Sequence, residues 1–348
     1  MKKSILAIAV AATMAAPAAA FADATVYGNV HLSLNAADND MPNADNNLKV
    51  SSNTSAIGVK GSEDLGDGMK AFYKLEWQIG IGDGPDLYPD TGYGDGPTLD
   101  GGLGQPTGVG GVWGRDQFVG LKGGFGKVAF GTMSSNYKQM GGKIDPLYRT
   151  PLEGRGFLMT QSSALHGGKG VNRGRQTHTA QYTSPKMGGI ELVVNTTFSG
   201  SEDETTGAGV RWSNKSFLVY LDWIDGQITG NASQCGAGDG IPPAPACKTE
   251  SATKIGGQWS NDAFAVALQY EDADKRTGAD YVFLAGTFNI NANNAIIATY
   301  GMQDVDEKGA PGSMDTDGYA LAYNHNMSKM TNVYVGYGAK SEDTANKD

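Results

Sequence analysis

The chain has 348 residues, a formal net charge of −10, 51 glycines and two cysteines. Such acidity argues against nucleic acid as a partner, because phosphate binding needs a basic surface. The glycines have no period of three, which excludes collagen, and beyond residue 22 no run of about 18 apolar residues supplies a spanning helix.

Residues 1–22 read as a cleaved export signal. Lys2 and Lys3 form the charged start and Ile5 to Ala16 an apolar stretch too short to span a bilayer comfortably. Ala20-Phe21-Ala22 then offers small residues for cleavage before Asp23; an uncleaved anchor is the alternative. The mature chain is 326 residues (348 minus 22), and losing the two lysines takes the charge from −10 to −12.

From Ala24 onward the dominant signal is an alternation of period two in segments of about ten residues. Thr25, Asn29, His31, Ser33 and Asn35 share one face, and Val26, Val30, Leu32 and Leu34 the other. Lys70, Lys74, Glu76 and Gln78 alternate with Tyr73, Leu75, Trp77 and Ile79. Glu191, Asn195 and Thr197 oppose Ile190, Leu192, Val194 and Phe198. Phe217, Val219, Leu221 and Trp223 make a further apolar face, as do Phe264, Val266, Leu268 and Tyr270. Soluble sandwiches alternate too. Strand lengths that suit a tilted membrane crossing, with Tyr or Trp near strand ends, favour a membrane barrel.

Connections alternate between short and long. Short turns fall at Asp64 to Gly68, Gly123 to Gly126, Pro185 to Gly189, Asn214-Lys215, Asn261-Asp262, Asn291 to Asn294 and Met327 to Met330. Longer polar links lie near 36–47, 82–112, 134–172, 200–206, 228–250, 272–278 and 304–315. Outer-membrane barrels have this rhythm of short periplasmic turns and long external loops. The expectation is therefore an all-β fold, a transmembrane antiparallel β-barrel over residues 23–348. Fifteen strands are visible; closure of an antiparallel barrel wants an even number, so sixteen are expected, the last beyond Asp348.

Several stretches resemble the Gram-negative general porins, trimeric diffusion channels of sixteen strands. Ala24-Thr25-Val26-Tyr27-Gly28 is similar to the family's first strand, and residues 55–71 (Ser55 to Ala71) to its second strand, first turn and third strand. Arg115 with Phe118 to Leu121, then Gly123 to Gly126, Val128 and Gly131, resembles the fourth and fifth strands. Tyr182, Ser184-Pro185 and Gly188-Gly189 resemble the next hairpin, and Asn326 to Tyr337 the penultimate strand. Two departures are Ala56, where the family often carries Arg, and the lack of a final strand with a terminal aromatic residue.

The resemblance implies an outer-membrane homotrimer surrounded by lipid, passing small hydrophilic solutes and ions, with no cofactor. It further implies that the third long link, about 134–172, folds into the barrel and sets carboxylates against a basic wall. Asp145 and Glu153 are the candidate carboxylates; Lys143, Arg149 and Arg155 lie in the same link. Opposite them Arg115, Arg173, Arg175 and Lys60 are the candidate basic residues. Strand parity agrees, since Arg173 and Arg175 share a face with Thr177, Thr179, Gln181 and Thr183, and Arg115 opposes Phe118. A charged side chain facing mid-membrane lipid would cost about 2–4 kcal/mol.

Asp83, Asp86, Asp90, Asp95 and Asp100 form a glycine-rich acidic link, read as a solvated loop, with calcium the alternative despite the lack of EF-hand spacing; the resemblance implies that a loop here can latch onto a neighbouring subunit. Cys235 and Cys247 flank a Gly/Pro-rich link outside the reducing cytoplasm, where a loop disulfide is expected rather than free thiols or a metal pair. The four histidines, His31, His166, His178 and His325, lie in no nucleophile motif, so no catalysis is expected. A substrate-specific or plugged barrel, adhesive or hydrolytic, is the alternative function. The bulk acidity favours cations near the mouth and the arginines favour anions at the constriction, and the sequence leaves the sign open.

Overall fold

The computed structural model describes residues 23–37, 48–81, 112–162, 164–167, 169, 173–200, 204–226, 251–305 and 314–344. The first strands are β1 (Asp23–Asn29), β2 (Leu32–Ala36), β3 (Leu48–Ser52), β4 (Ala56–Gly66), β5 (Met69–Ile79), β6 (Val112–Gly123) and β7 (Gly126–Ser134). An interior loop follows, carrying helix α1 (Asn136–Ile144) and a π-helical turn (Gly154–Leu158). Then come β8 (Arg175–Thr183), β9 (Ile190–Thr197), β10 (Thr205–Ser213), β11 (Phe217–Gly226), β12 (Ala252–Ser260) and β13 (Phe264–Asp272). A one-turn helix, α2 (Asp274–Thr277), leads to β14 (Ala279–Asn291), β15 (Asn294–Val305), β16 (Met314–Asn326) and β17 (Asn332–Thr344). No helix among the described residues is long and apolar enough to cross a membrane.

Fifteen strands form one antiparallel sheet in the order β1, then β4 through β17, while β2 pairs with β3. The small pair continues the first hairpin past an irregularity. Thr54, left-handed at φ 55°, is an extra residue between the register Asn29↔Ala56 and the register Leu32↔Ser52. The sheet curls until its two ends approach, with His31 Nε2 2.9 Å from the Tyr334 hydroxyl. Among the described residues β1 and β17 are the edge strands of that sheet.

The alternation resolves as an inverted molecule. On β13, Phe264, Val266, Leu268 and Tyr270 face outward at 44–56% exposure, while Gln269 and Glu271 are buried at 2% and 0%. On β11, Phe217, Val219, Leu221 and Trp223 face out and Tyr220, Asp222 and Ile224 face in. Apolar out and charged in excludes a soluble sandwich and matches a wall between lipid and an aqueous lumen. The main buried apolar cluster lies inside this wall, where Tyr137, Met140, Ile144, Leu158, Met159 and Leu165 of the loop pack on small and aromatic residues of β11–β14.

Candidate functional site

The interior loop is built as a rigid body. Ser135 caps α1, its Oγ accepting from the Lys138 amide at 3.1 Å. Asn136 docks the helix start on the wall: its side-chain amide donates to Asp222 Oδ1 at 3.0 Å and to the Trp223 carbonyl at 3.1 Å. Gly207 and Gly209 leave the room it needs, since a Cβ on either would collide with Asn136 or Asp222. Arg211 completes the contact, donating to Gln139 Oε1 at 2.9 Å and to the Asn136 carbonyl at 3.2 Å.

A second anchor lies on β12 and β13. Glu271 receives the Gln161 amide at 2.9 Å and stands 3.2 Å from His166 Nε2 and 3.9 Å from Lys254 Nζ. Lys254 also sits 3.9 Å over the Tyr137 ring. Burial, then the Lys254 charge, pushes His166 well below its ordinary value. At the far side, Leu158 accepts from Thr316 at 3.1 Å, and Leu152 and Phe157 cover Gly336 and Gly338 of β17.

The tip of the loop is tied by its own carboxylates. Asp145 accepts from the amides of Leu147 and Gly154, both at 2.8 Å. Glu153 accepts from the Arg149 amide at 2.9 Å, fixing a left-handed residue at φ 66°, and lies 3.5 Å from Arg155. Burial, then the neighbouring Glu153 charge, pushes Asp145 up to about 7. The Arg149 and Arg155 guanidiniums lie over the Tyr148 ring at 5.2 and 4.7 Å from its centroid.

Facing this tip, the wall of β1 and β4–β8 carries a connected charge cluster. Arg115 donates to Glu76 at 2.8 Å and to Gln78 at 2.7 Å. Tyr27 donates to Glu76 at 2.9 Å, and Lys60 lies 5.1 Å over the Tyr27 ring. Lys74 bridges Glu76 at 3.1 Å and Asp116 at 3.0 Å, and Arg175 holds Asp116 at 2.9 Å. Between this wall and α1 lies a cavity of about 340 Å³ lined by Asp116, Gln139, Gln181 and Arg211 among others.

Of the residues the sequence singled out, Lys60, Arg115 and Arg175 thus meet in one cluster. Arg173 lies apart from it, close enough to Arg276 of α2 for their charges to repel. Asp145 and Glu153 are buried and spend their oxygens on the loop's own backbone and Arg155. Cys235 and Cys247, the acidic link from Asp83 to Asp100 and the export signal lie outside the described residues.

Strict parity fails at two bulges. Leu75 pairs with Gln117 but Trp77 with Gly114, so Glu76 faces both Arg115 and Asp116, and the consecutive pair shares the lumen. Phe118, expected to face outward opposite Arg115, therefore faces inward, registered with Lys74. Likewise Gly131 pairs with Thr179 and Met133 with Gln176, with His178 left-handed at φ 53°, which puts Gln176 rather than Thr177 opposite Met133. Sequence reasoning missed Asp116, Arg211, Asp222, Lys254 and Glu271 as site residues. Lys74 and Glu76 were visible on a polar face without being assigned a role.

Known proteins share this fold. The model of the family described as Gram-negative porin matches residues 7–345. The major outer membrane protein P.IB of Neisseria gonorrhoeae is 26% identical, covering 97% of this chain and 93% of that protein. Among solved structures, the anion-selective porin from Comamonas acidovorans superposes with a TM-score of 0.66 at 18% identity, covering 92% of this chain and 89% of that one. The trimer form of OmpT, an outer membrane protein of Vibrio cholerae, gives 0.57 at 15% identity, over 92% and 90% of the chains. With an apolar exterior, a charged lumen and a loop folded into it, the chain belongs to the Gram-negative porin family, passive-diffusion channels of the outer membrane rather than enzymes.

Proposed function

We propose that solutes pass between the loop tip and the β4–β8 wall, and that the passage favours small hydrophilic anions. The observation that carries this is the imbalance of charge around it. Among the described residues, Lys60, Lys74, Arg115 and Arg175 line the wall against Glu76 and Asp116, while at the loop tip Arg149, which repels Arg115, and Arg155 stand with Glu153. The anchors behind the loop are balanced instead, with Arg211 and Lys254 set against Asp222 and Glu271. Charges beyond about 8 Å are screened at physiological ionic strength, so the charges nearest the passage set its sign. The similarity to a porin described as anion-selective supports the same sign. The test is the reversal potential of the detergent-purified protein in a planar bilayer under a potassium chloride gradient. A potential of chloride sign, reduced in Arg115→Ala and Arg175→Ala, is expected; a potential of potassium sign overturns the proposal.

The same reading assigns a homotrimer. On the outer faces of β1–β6 the most exposed large hydrophobic residues, from Val26 through Leu121, carry no aromatic ring, and Tyr73 and Trp77 beside Leu75 are half-buried, whereas well-exposed aromatics recur from Phe125 to Tyr337. Interfacial aromatics belong where lipid headgroups are met, so the aliphatic sector suits protein neighbours. A neighbour in trimer form supports this. Sedimentation in detergent at three chain masses is the expected result; a monomer overturns it.

A further inference from the structure

The lumen contains an apolar feature that free diffusion of hydrophilic solutes does not call for. Phe72 breaks the polar inner face of β5, and Phe118 joins it from β6 at 6.2 Å between ring centroids and 74° between planes. Both rings line the cavity of about 340 Å³ beside α1, on the short-turn side of the charge cluster. For comparison, about 150 Å³ suffices to hold a benzene ring.

Cations stand on either side of this pair along the strands. Toward the turns, Lys70, Lys122 and Lys127 are in register across β5, β6 and β7. Lys122 lies 5.8 Å over the Phe72 ring, and Lys127 lines the cavity with the two phenylalanines. Toward the loop tip, Lys74 is registered with Phe118. Lys70 is held by Asp64 at 3.4 Å, whereas Lys127 has no carboxylate partner among the described residues.

We propose that this place is a subsite for aromatic carboxylates, the ring resting on Phe72 and Phe118 and the carboxylate reaching Lys127. Two rings in an edge-to-face pair leave a face open, which a third ring can meet with its positive edge, as aliphatic carbon cannot. The anionic group then trades water for an ammonium without leaving the aqueous passage. Such a site slows these solutes in transit while raising their local concentration, so the channel takes them up preferentially from dilute solution. The assignment deepens the anion-channel reading and rests on it.

The test uses the protein in a planar bilayer carrying chloride current. Benzoate is titrated against cyclohexanecarboxylate, which matches its charge and approximates its size without an aromatic ring. Benzoate is expected to halve the chloride current at a concentration about five-fold lower, the factor an extra aromatic contact supplies. The Phe72→Leu/Phe118→Leu double variant is expected to remove that difference. Equal half-blocking concentrations in the unaltered protein, or a preference that survives in the double variant, overturn the subsite while leaving the channel reading intact. Absence of any ion current overturns the channel reading and the subsite together.

Discussion

His166 Nε2 stands 3.2 Å from a Glu271 oxygen, joining the return limb of the interior loop to the barrel wall at β13. Gln161, Gln269 and Lys254 converge on the same carboxylate, so one wall residue gathers four groups. Glu271→Ala therefore leaves the buried Lys254 without its nearest counter-charge, a loss of about 3–5 kcal/mol in loop docking. Amide exchange across Asn136–Ile144 should accelerate at least a hundred-fold by that measure, with noisier open-channel current. Unchanged exchange would show that α1 is held without this anchor.

The wall carboxylates should act opposite to the arginines. Glu76→Gln and Asp116→Asn each remove a negative charge while retaining a hydrogen-bonding side chain beside Arg115 or Arg175. Reversal potentials in a chloride gradient should move further toward anion preference in both variants. A move toward cations would place the narrowest point elsewhere.

Loop docking should also depend on pH through Asp145. Its value rises from 3.8 to about 7 in the docked loop, so docking is unpenalised below about pH 4 and loses stability as pH climbs to about 7. His166 acts in the opposite sense, losing docking stability as pH falls below its ordinary 6.5. Asp145→Asn isolates the first effect. Relative to the unaltered protein, this variant should lose the part of the current noise that grows between about pH 4 and pH 7. Parallel pH profiles in the two proteins would refute the assignment.

Gly207→Ala tests the docking face sterically. The added Cβ meets the Asn136 side chain, pushing the start of α1 off the wall and into the passage. Single-channel conductance should fall, and Asn136→Ala in the same chain should restore it.

Much of this was legible in the sequence because burial on a wall between lipid and water is a local, period-two property. The faces read from Phe217, Val219, Leu221 and Trp223, and from Phe264 to Tyr270, are the outer faces of β11 and β13. The link near 134–172 was read as folding inward only through the resemblance; of its described residues, Tyr137, Met140, Ile144 and Leu158 pack with residues of β11–β14. The bulges were not legible: nothing local in Arg115-Asp116 or Thr177-His178 announces an extra residue, and each shifts the inward set by one. The anchors were hidden for another reason. Asp222, Lys254 and Glu271 sit singly on three strands, and only the register and the loop's path bring them to Asn136, Tyr137 and His166.

The interior loop carries apolar side chains into the one part of the molecule that water reaches from within. Tyr137, Met140, Ile144 and Leu158 are buried against the wall there, and the hydrophobic effect holds them because their alternative is water. The outer residues have no such alternative, since hydrocarbon surrounds them in either case. Cooling and urea weaken hydrophobic burial, so both should loosen the loop while leaving the strand ladder intact. The channel then has two melting behaviours in one chain, with a throat that softens in the cold inside a barrel that does not.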